Sequence, residues 1–340
     1  MSSHSGLIYV LVLLVFTGAA FGQSTAATFG KIIPLGGTPG DMVADEARGR
    51  LYLTIPTANR VDIFSLGEKR VVGRILVGTY PLSLAMSVDG SFLYVANTQS
   101  ASLSVIDLGT DRVMQTVSLP ARPEGVAAGS DGRVLITTQG TGINNSSNTL
   151  LVVDKNQQQG LQVAPVVAPP PITTPNPLPQ VFVGRPATPF PGRLMTTPDG
   201  NFIIGMVAIN QTANNANTTL FVYEVLSGTV LKNRTVTGQS TVLAMAPDGS
   251  RFMAGSTLYD ATTLSVIAQQ STSNFPFIFG AQGFNPGFQL GVNYGGSIFA
   301  DGGATIYSAF NTSPAGQRVS SNVLFVNSAK NLGSRLGIRL

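Results

Sequence analysis

Apolar and polar positions alternate in short bursts along this chain, and the bursts return in a fixed order. FLYVAN, residues 92–97, follows the turn Asp89-Gly90-Ser91. LSVIDL (103–108) and RVMQTVSL (112–119) come next. Period-two alternation places successive side chains on opposite faces of a strand. Asp-Gly between apolar runs is a strong hairpin signal, because both residues tolerate positive φ. The stretch therefore predicts a hairpin followed by two more strands.

The same order recurs. Asp131-Gly132-Arg133 precedes VLITTQ, Asp199-Gly200-Asn201 precedes FIIGMV, Asp248-Gly249-Ser250 precedes RFMAGS, and Asp301-Gly302-Gly303 precedes ATIYSA. A looser copy, DEARGRLYLT, occupies residues 45–54. Third strands are predicted at 60–66, 103–108, 150–154, 220–225, 257–260 and 323–327, and fourth strands at 70–78, 112–119 and 229–236. Counted from Asp45, the turns are separated by 44, 42, 68, 49 and 53 residues. The long interval holds an insertion at about 162–180, with seven prolines. Proline cannot donate to a β ladder, so this is an extended loop outside the sheet.

Four-strand units at roughly 40–50 residues predict an all-β chain folded as a β-propeller of four-stranded antiparallel blades. Stacked radially, each blade covers the next. FLYVAN followed by LSVIDLGTDRVMQTVSL resembles the YVTN-type β-propeller repeat of bacterial and archaeal surface or exported proteins. Residues 71–138 carry that resemblance most closely. Six repeat units are visible over 30–340. GKIIPL (30–35) reads as a leading strand that completes the last blade, and SRLGIRL (334–340) as the fourth strand of the sixth unit. The expectation is a seven-bladed ring truncated at the C-terminus, and the alternative is a closed six-bladed ring.

Composition adds export. The run LIYVLVLLVF (7–16) followed by Ala20-Phe21-Gly22 reads as a signal peptide over 1–22, with a short linker at 23–29. The run is too short to span a bilayer, and no other stretch approaches a span. The chain is expected to be secreted, periplasmic or at the cell surface. Charged residues are only 11% of the chain, against roughly 25% in an average soluble protein. The net charge of +4 is spread without a Lys/Arg run, so no nucleic-acid partner is expected.

Candidate chemistry is narrow. The chain has no Cys and no Trp, and its one His lies in the leader. This removes Ser-His-Asp and Cys-His catalysis and His- or Cys-built metal sites. Each turn aspartate is read as bonding its own backbone. No catalytic residue, metal site or cofactor is assigned. Loops leading into the inner strands gather Asp41, Tyr80, Arg122, Glu124, Arg185 and Arg193 at the rim of the channel. Three arginines there favour an acidic partner. The leading reading is a monomeric binding or structural scaffold with a protein or carbohydrate ligand at the rim. It could form the N-terminal part of a larger extracellular or envelope protein. The alternative is a propeller enzyme, lactonase-like or carboxylate-based and carbohydrate-active, with Asp41, Glu124 and Glu224 as the acids to map.

Overall fold

A computed structural model describes residues 33–138, 150–154, 167–168, 180–181, 192–212, 215–237, 243–255, 257–269, 296–312 and 321–339. The proposed leader and linker lie outside them.

Strands follow one another in antiparallel sheets of consecutive order. The first sheet is β1 (Met42–Asp45), β2 (Arg50–Ile55), β3 (Arg60–Ser65) and β4 (Arg70–Leu76). The second is β5 (Pro81–Met86), β6 (Phe92–Asn97), β7 (Ser102–Asp107) and β8 (Arg112–Ser118). The third shows three strands among the described residues: β9 (Pro123–Ala128), β10 (Arg133–Thr138) and β11 (Leu150–Asp154). In the proline-rich insertion, β12 (Val167–Ala168) and β13 (Gln180–Val181) form a separate two-stranded ribbon. The fourth sheet is β14 (Arg193–Thr196), β15 (Phe202–Thr212), β16 (Asn215–Glu224) and β17 (Thr229–Thr237). The fifth is β18 (Leu243–Met245), β19 (Arg251–Ala254), β20 (Thr257–Asp260) and β21 (Val266–Gln269). The sixth is β22 (Ser297–Ala300), β23 (Thr305–Thr312), β24 (Ser321–Ser328) and β25 (Ser334–Arg339).

The first strands of successive sheets touch, from β1 to β5 and on through β9, β14, β18 and β22. They form the inner wall of a β-propeller. β9 is buried along its whole length, whereas β8 alternates exposed and half-buried residues, as an outer strand should. Of the expected leading strand, residues 30–32 lie outside the described part and Ile33–Leu35 carry no strand.

The Asp-Gly turns differ from the expectation in one respect. Gly90, Gly132, Gly200 and Gly249 have φ of 68, 82, 73 and 70°, but among the turn aspartates only Asp301 is left-handed, at 53°. Elsewhere glycine alone takes the strained position. The preceding carboxylate accepts the N–H two residues on: Ser91 to Asp89 (3.0 Å), Arg133 to Asp131 (2.9 Å), Asn201 to Asp199 (3.1 Å) and Ser250 to Asp248 (3.0 Å). Hydrogen bonds hold the Asp199 and Asp248 carboxyls below the usual range, led by the Thr197 hydroxyl at the former and the Ser250 N–H at the latter.

Five apolar clusters lie between consecutive sheets. Tyr52, Val61 and Ile63 meet Leu84, Leu93 and Ile106. Tyr94, Leu103 and Val105 meet Val134, Ile136 and Leu151. Ala127, Leu135 and Leu150 meet Ile203, Phe221 and Tyr223. Ile204, Met206 and Leu220 meet Phe252 and Tyr259. Ala244, Met253 and Leu258 meet Phe299 and Ile306. Each of the second to fifth sheets buries alternate residues against the sheet before it and the remainder against the sheet after it.

At the edge that carries the Asp-Gly turns, second-strand arginines fasten alternate junctions, and Arg234 Nη1 on β17 donates to the Leu264 carbonyl (2.9 Å) between the fourth and fifth sheets. Arg50 Nη1 donates to Asp111 Oδ2 (2.8 Å), Arg133 Nη2 to the Val225 carbonyl (2.9 Å) and Arg251 Nη1 to the Ala329 carbonyl (2.9 Å). Each opens the second strand of its sheet and reaches the turn between the third and fourth strands of the next. Phe92 and Phe202 open the corresponding strands of the second and fourth sheets.

Two outcomes follow from this packing. A Cβ on Gly205 would stand 2.0 Å from Phe221 Cζ. Gly205→Ala should therefore cost about 1–3 kcal/mol in urea unfolding, the range of overpacked cores. Burial pushes the Tyr94 phenol up to about 12 and raises those of Tyr52, Tyr223 and Tyr259. The unfolded phenol titrates near 10, so these groups stabilise the fold fully below that pH. Their contribution should be lost as pH climbs toward 12, read as late phenolate absorbance at 295 nm coinciding with unfolding.

Candidate functional site

The inner strands all enter the ring from the same end, and each of the first four begins on a proline step: Pro39-Gly40-Asp41, Pro81-Leu82-Ser83, Pro123-Glu124-Gly125 and Pro191-Gly192-Arg193. The end of the channel where they enter is its mouth. Strand pairing places Ser83 opposite Ala96 and Arg193 opposite Met206. Asp41 is paired to Thr54: its N–H donates to Thr54 Oγ1 (2.8 Å), and its carbonyl accepts the Thr54 N–H (3.0 Å) and, at 3.4 Å, the Thr54 hydroxyl.

A chain of polar contacts links the first four sheets here. Asp41 Oδ2 accepts from the Ser83 hydroxyl (2.8 Å) and the Leu84 N–H (3.2 Å), joining the first sheet to the second. The Thr98 hydroxyl donates to the Pro123 carbonyl (2.7 Å), joining the second to the third. Glu124 Oε2 accepts the Gly192 N–H (2.7 Å), joining the third to the fourth. Arg193 then returns to the first sheet, with Nη1 3.2 Å from Asp41 Oδ2 and Nη2 3.3 Å from the Gly40 carbonyl. The first and fourth sheets are not neighbours, so the Arg193 side chain crosses the channel mouth. The circuit is closed.

Its members differ in access. Glu124 is fully buried, while the Arg193 and Asp41 side chains keep 23% and 28% of their exposure. Asp41 and Arg193 can therefore meet a solute in the channel, and Glu124 acts through the backbone it holds. Gly125 and Gly192 permit the close approach of the third and fourth sheets. A Cβ on Gly192 would lie 2.7 Å from Thr137 Oγ1, the atom that accepts the Gly125 N–H at 2.9 Å.

Of the residues expected at the rim, Asp41, Glu124 and Arg193 come together. Arg122 is exposed at the entry to β9, with no ion-pair partner among the described residues. Tyr80 takes a left-handed φ of 59° in the link between β4 and β5. Its N–H is held by Asn59 Oδ1 (2.9 Å), its carbonyl accepts the Thr98 N–H (3.0 Å), and it is 37% exposed. Arg185 lies outside the described residues. Glu224 is at the other end of the molecule, where β16 runs into the turn before β17. The three acids proposed for an enzyme therefore do not converge.

Sequence reasoning missed Ser83, Thr98 and Gly192 because it searched for charge. For Ser83 the signal was available in register: the third residues of the first, second and fourth proline steps, Asp41, Ser83 and Arg193, meet at the mouth. Among the described residues no group of three or more His, Asp or Glu could hold a metal ion, and no helix is long and apolar enough to cross a membrane.

The fold and this ring of inner-strand entries define the chain as a β-propeller. No family model matches it. It is 26% identical over 123 residues to Antigen Lp49 of Leptospira interrogans serogroup Icterohaemorrhagiae serovar copenhageni, strain Fiocruz L1-130. That match covers 31% of this chain and 27% of the antigen, so the chain spans about a quarter of the length of the curated relative it matches. Among solved structures it is similar to the β-propeller domain of Cps50 (Swd1) from Myceliophteria thermophila, with a TM-score of 0.54, 12% identity, and 89% and 86% of the two chains covered. Kuenenia stuttgartiensis hydrazine synthase aligns with a TM-score of 0.47 and 16% identity over 89% of this chain and 65% of that one.

If the channel is closed by the Arg193–Asp41 pair, the two side chains are energetically coupled. A double-mutant cycle with Asp41→Asn and Arg193→Gln should return a coupling of about 1 kcal/mol in urea unfolding. Arg70→Gln, at the opposite end, should be additive with either change.

Proposed function

We propose that this chain is an exported, surface-associated binding scaffold that recognises a protein or carbohydrate ligand at the mouth of its channel. The observation that carries the reading is an asymmetry between the two ends. At the far end, strands are joined by tight turns such as 87–91 and 108–111. Long connections belong to the mouth, beside short ones such as 77–80 and 98–101: residues 139–149 join β10 to β11, 270–295 join β21 to β22, and 313–320 join β23 to β24. Rigid scaffolds carry recognition on such connections. The scaffold beneath them is braced by the polar circuit, which fixes where each inner strand enters.

The charge at this end sets the ligand chemistry. Arg193 is engaged by Asp41, which leaves Arg122 as the open guanidinium among the described residues. A guanidinium fork suits carboxylate or sulfate groups. The expected ligand is an acidic glycan or an acidic protein segment. Export rests on the leader at 1–22, and the partial likeness to a leptospiral antigen agrees with a surface location. The YVTN-type repeat belongs to the same proposal. The carboxylate-enzyme alternative loses Glu224 from its set of acids.

Immobilised chain should bind a sulfated or uronic-acid polysaccharide, or an acidic polypeptide, with salt-dependent affinity. Arg122→Glu should weaken that binding about tenfold. Arg70→Glu, at the far end, should leave it unchanged. Equal effects of the two changes, or no binding across a panel of anionic and neutral glycans and acidic polypeptides, would overturn the reading.

A further inference from the structure

The guanidinium that crosses the channel mouth is held loosely, and the carboxylate it meets is held firmly without it. Asp41 Oδ1 accepts the Met42 N–H (2.9 Å), and Oδ2 accepts the Ser83 hydroxyl (2.8 Å) and the Leu84 N–H (3.2 Å). Ser83 is buried. Its hydroxyl and the Leu84 N–H would lose their acceptor if Asp41 turned away, and an unpaired buried donor is costly. Asp41 is therefore fixed to the first and second sheets. Arg193 is not fixed in this way. Its Nη1 lies 3.2 Å from Asp41 Oδ2 and its Nη2 3.3 Å from the Gly40 carbonyl. Charge-assisted bonds usually run about 2.7–2.9 Å, and arginine–carboxylate pairs are often two-pronged. The pairs Arg48–Asp45 and Arg50–Asp111 both reach 2.8 Å. The Arg193–Asp41 pair is longer and meets a single oxygen. A guanidinium carries five N–H donors, and among the described residues these contacts engage two of them.

We infer that Arg193 is an anion-binding residue of the mouth and that Asp41 is its built-in competitor: an external carboxylate or sulfate group takes Arg193 Nη1 from Asp41. The inference rests on the reading of the mouth as a site for acidic groups, and it names how that site is kept closed. After the exchange Asp41 still holds the Met42, Ser83 and Leu84 donors. Nη2 keeps the Gly40 carbonyl, so the side chain stays across the channel while Nη1 changes partner. The links between neighbouring sheets, from Asp41 to Ser83, Thr98 to Pro123 and Glu124 to Gly192, are untouched. Entry of the anion therefore requires no movement of the sheets. Both side chains are partly exposed, so a solute can reach them. Arg122 stands on the neighbouring entry, since Glu124, two residues on, holds the N–H of the residue before Arg193. An acidic ligand met by Arg122 finds a second guanidinium close by, available only in exchange for Asp41. Chloride offers no pair of oxygens to a guanidinium fork, so salt alone is a poor replacement for the carboxylate.

Inorganic sulfate is the probe, because it serves whatever the natural ligand is. In a chain carrying isotope-labelled arginine, the Nε–H resonance of Arg193 is assigned by its absence from Arg193→Gln. It should move saturably with sodium sulfate and not with sodium chloride at equal ionic strength. In Asp41→Asn the sulfate concentration at half-shift should fall about tenfold, the scale of one charge-assisted contact. Asp41→Ser also removes the charge, and it gives the same readout if the asparagine variant fails to fold. The Arg70 resonance, at the opposite end, should respond alike in the parent and in the Asp41 variants. An Arg193 signal that sulfate does not move, or a half-shift concentration unchanged by both substitutions, would overturn the inference. Binding of polygalacturonate to immobilised chain gives a second measurement. Asp41→Asn should tighten it and Arg193→Gln weaken it, by about tenfold each. Binding that is equal in the parent and in Asp41→Asn would also overturn the inference. If Arg193 answers sulfate as expected while polygalacturonate, heparin and polyglutamate all fail to bind, the exchange at Arg193 stands and the reading of the mouth as a recognition surface falls.

Discussion

A sheet that is apolar on both faces cannot stand in water, and this constraint organises the whole chain. Such a sheet needs a neighbour on each side, and each neighbour has the same need. Radial stacking answers it with one kind of contact used repeatedly. The five clusters are built mainly from second- and third-strand residues such as Leu93, Val134, Ile204 and Met253. Those strands are covered on both sides. The fourth strands can be polar on alternate residues because only their inner halves meet a neighbour.

The same constraint explains what the sequence made legible. Hairpins could be read because the Asp-Gly turn and the second strand are local features: the glycine must be left-handed and the strand must be apolar. FLYVAN and FIIGMV state this without reference to anything distant. The inner strands were harder to read. PLSLAM and PEGVAA show little alternation, since both their faces are turned inward, and PEGVAA is buried throughout. β21 was invisible for the opposite reason. VIAQ sits at the outer edge, three of its four residues are exposed, and its apolar residues carry no period.

The candidate site was half legible. Charge picked out Asp41, Glu124 and Arg193, but not what they bond to. Glu124 holds a backbone N–H of Gly192, and no side-chain inventory contains that partner. Asp41 and Arg193 are 152 residues apart. They meet because the first and fourth inner strands enter the channel at the same height. Reading the proline steps in register would have placed Asp41, Ser83 and Arg193 on one level. Glu224 shows the converse: it resembles a third acid by type, but its strand ends at the far turns.

The polar circuit and the apolar clusters act on different parts of the same problem. Apolar stacking is tolerant of small rotations between sheets, because its contacts are many and non-directional. Hydrogen bonds at the mouth are directional, and an unpaired buried carboxylate such as Glu124 would be costly. A rotation that kept the clusters packed would still break Glu124 from Gly192 or Arg193 from Asp41. The circuit therefore fixes the relative heights of the first four inner strands, and with them the points from which the long connections at the mouth depart. A surface that recognises a partner through connections of uneven length needs such fixed departure points. In this molecule they are set by a guanidinium that spans the channel, with apolar burial supplying the stability behind it.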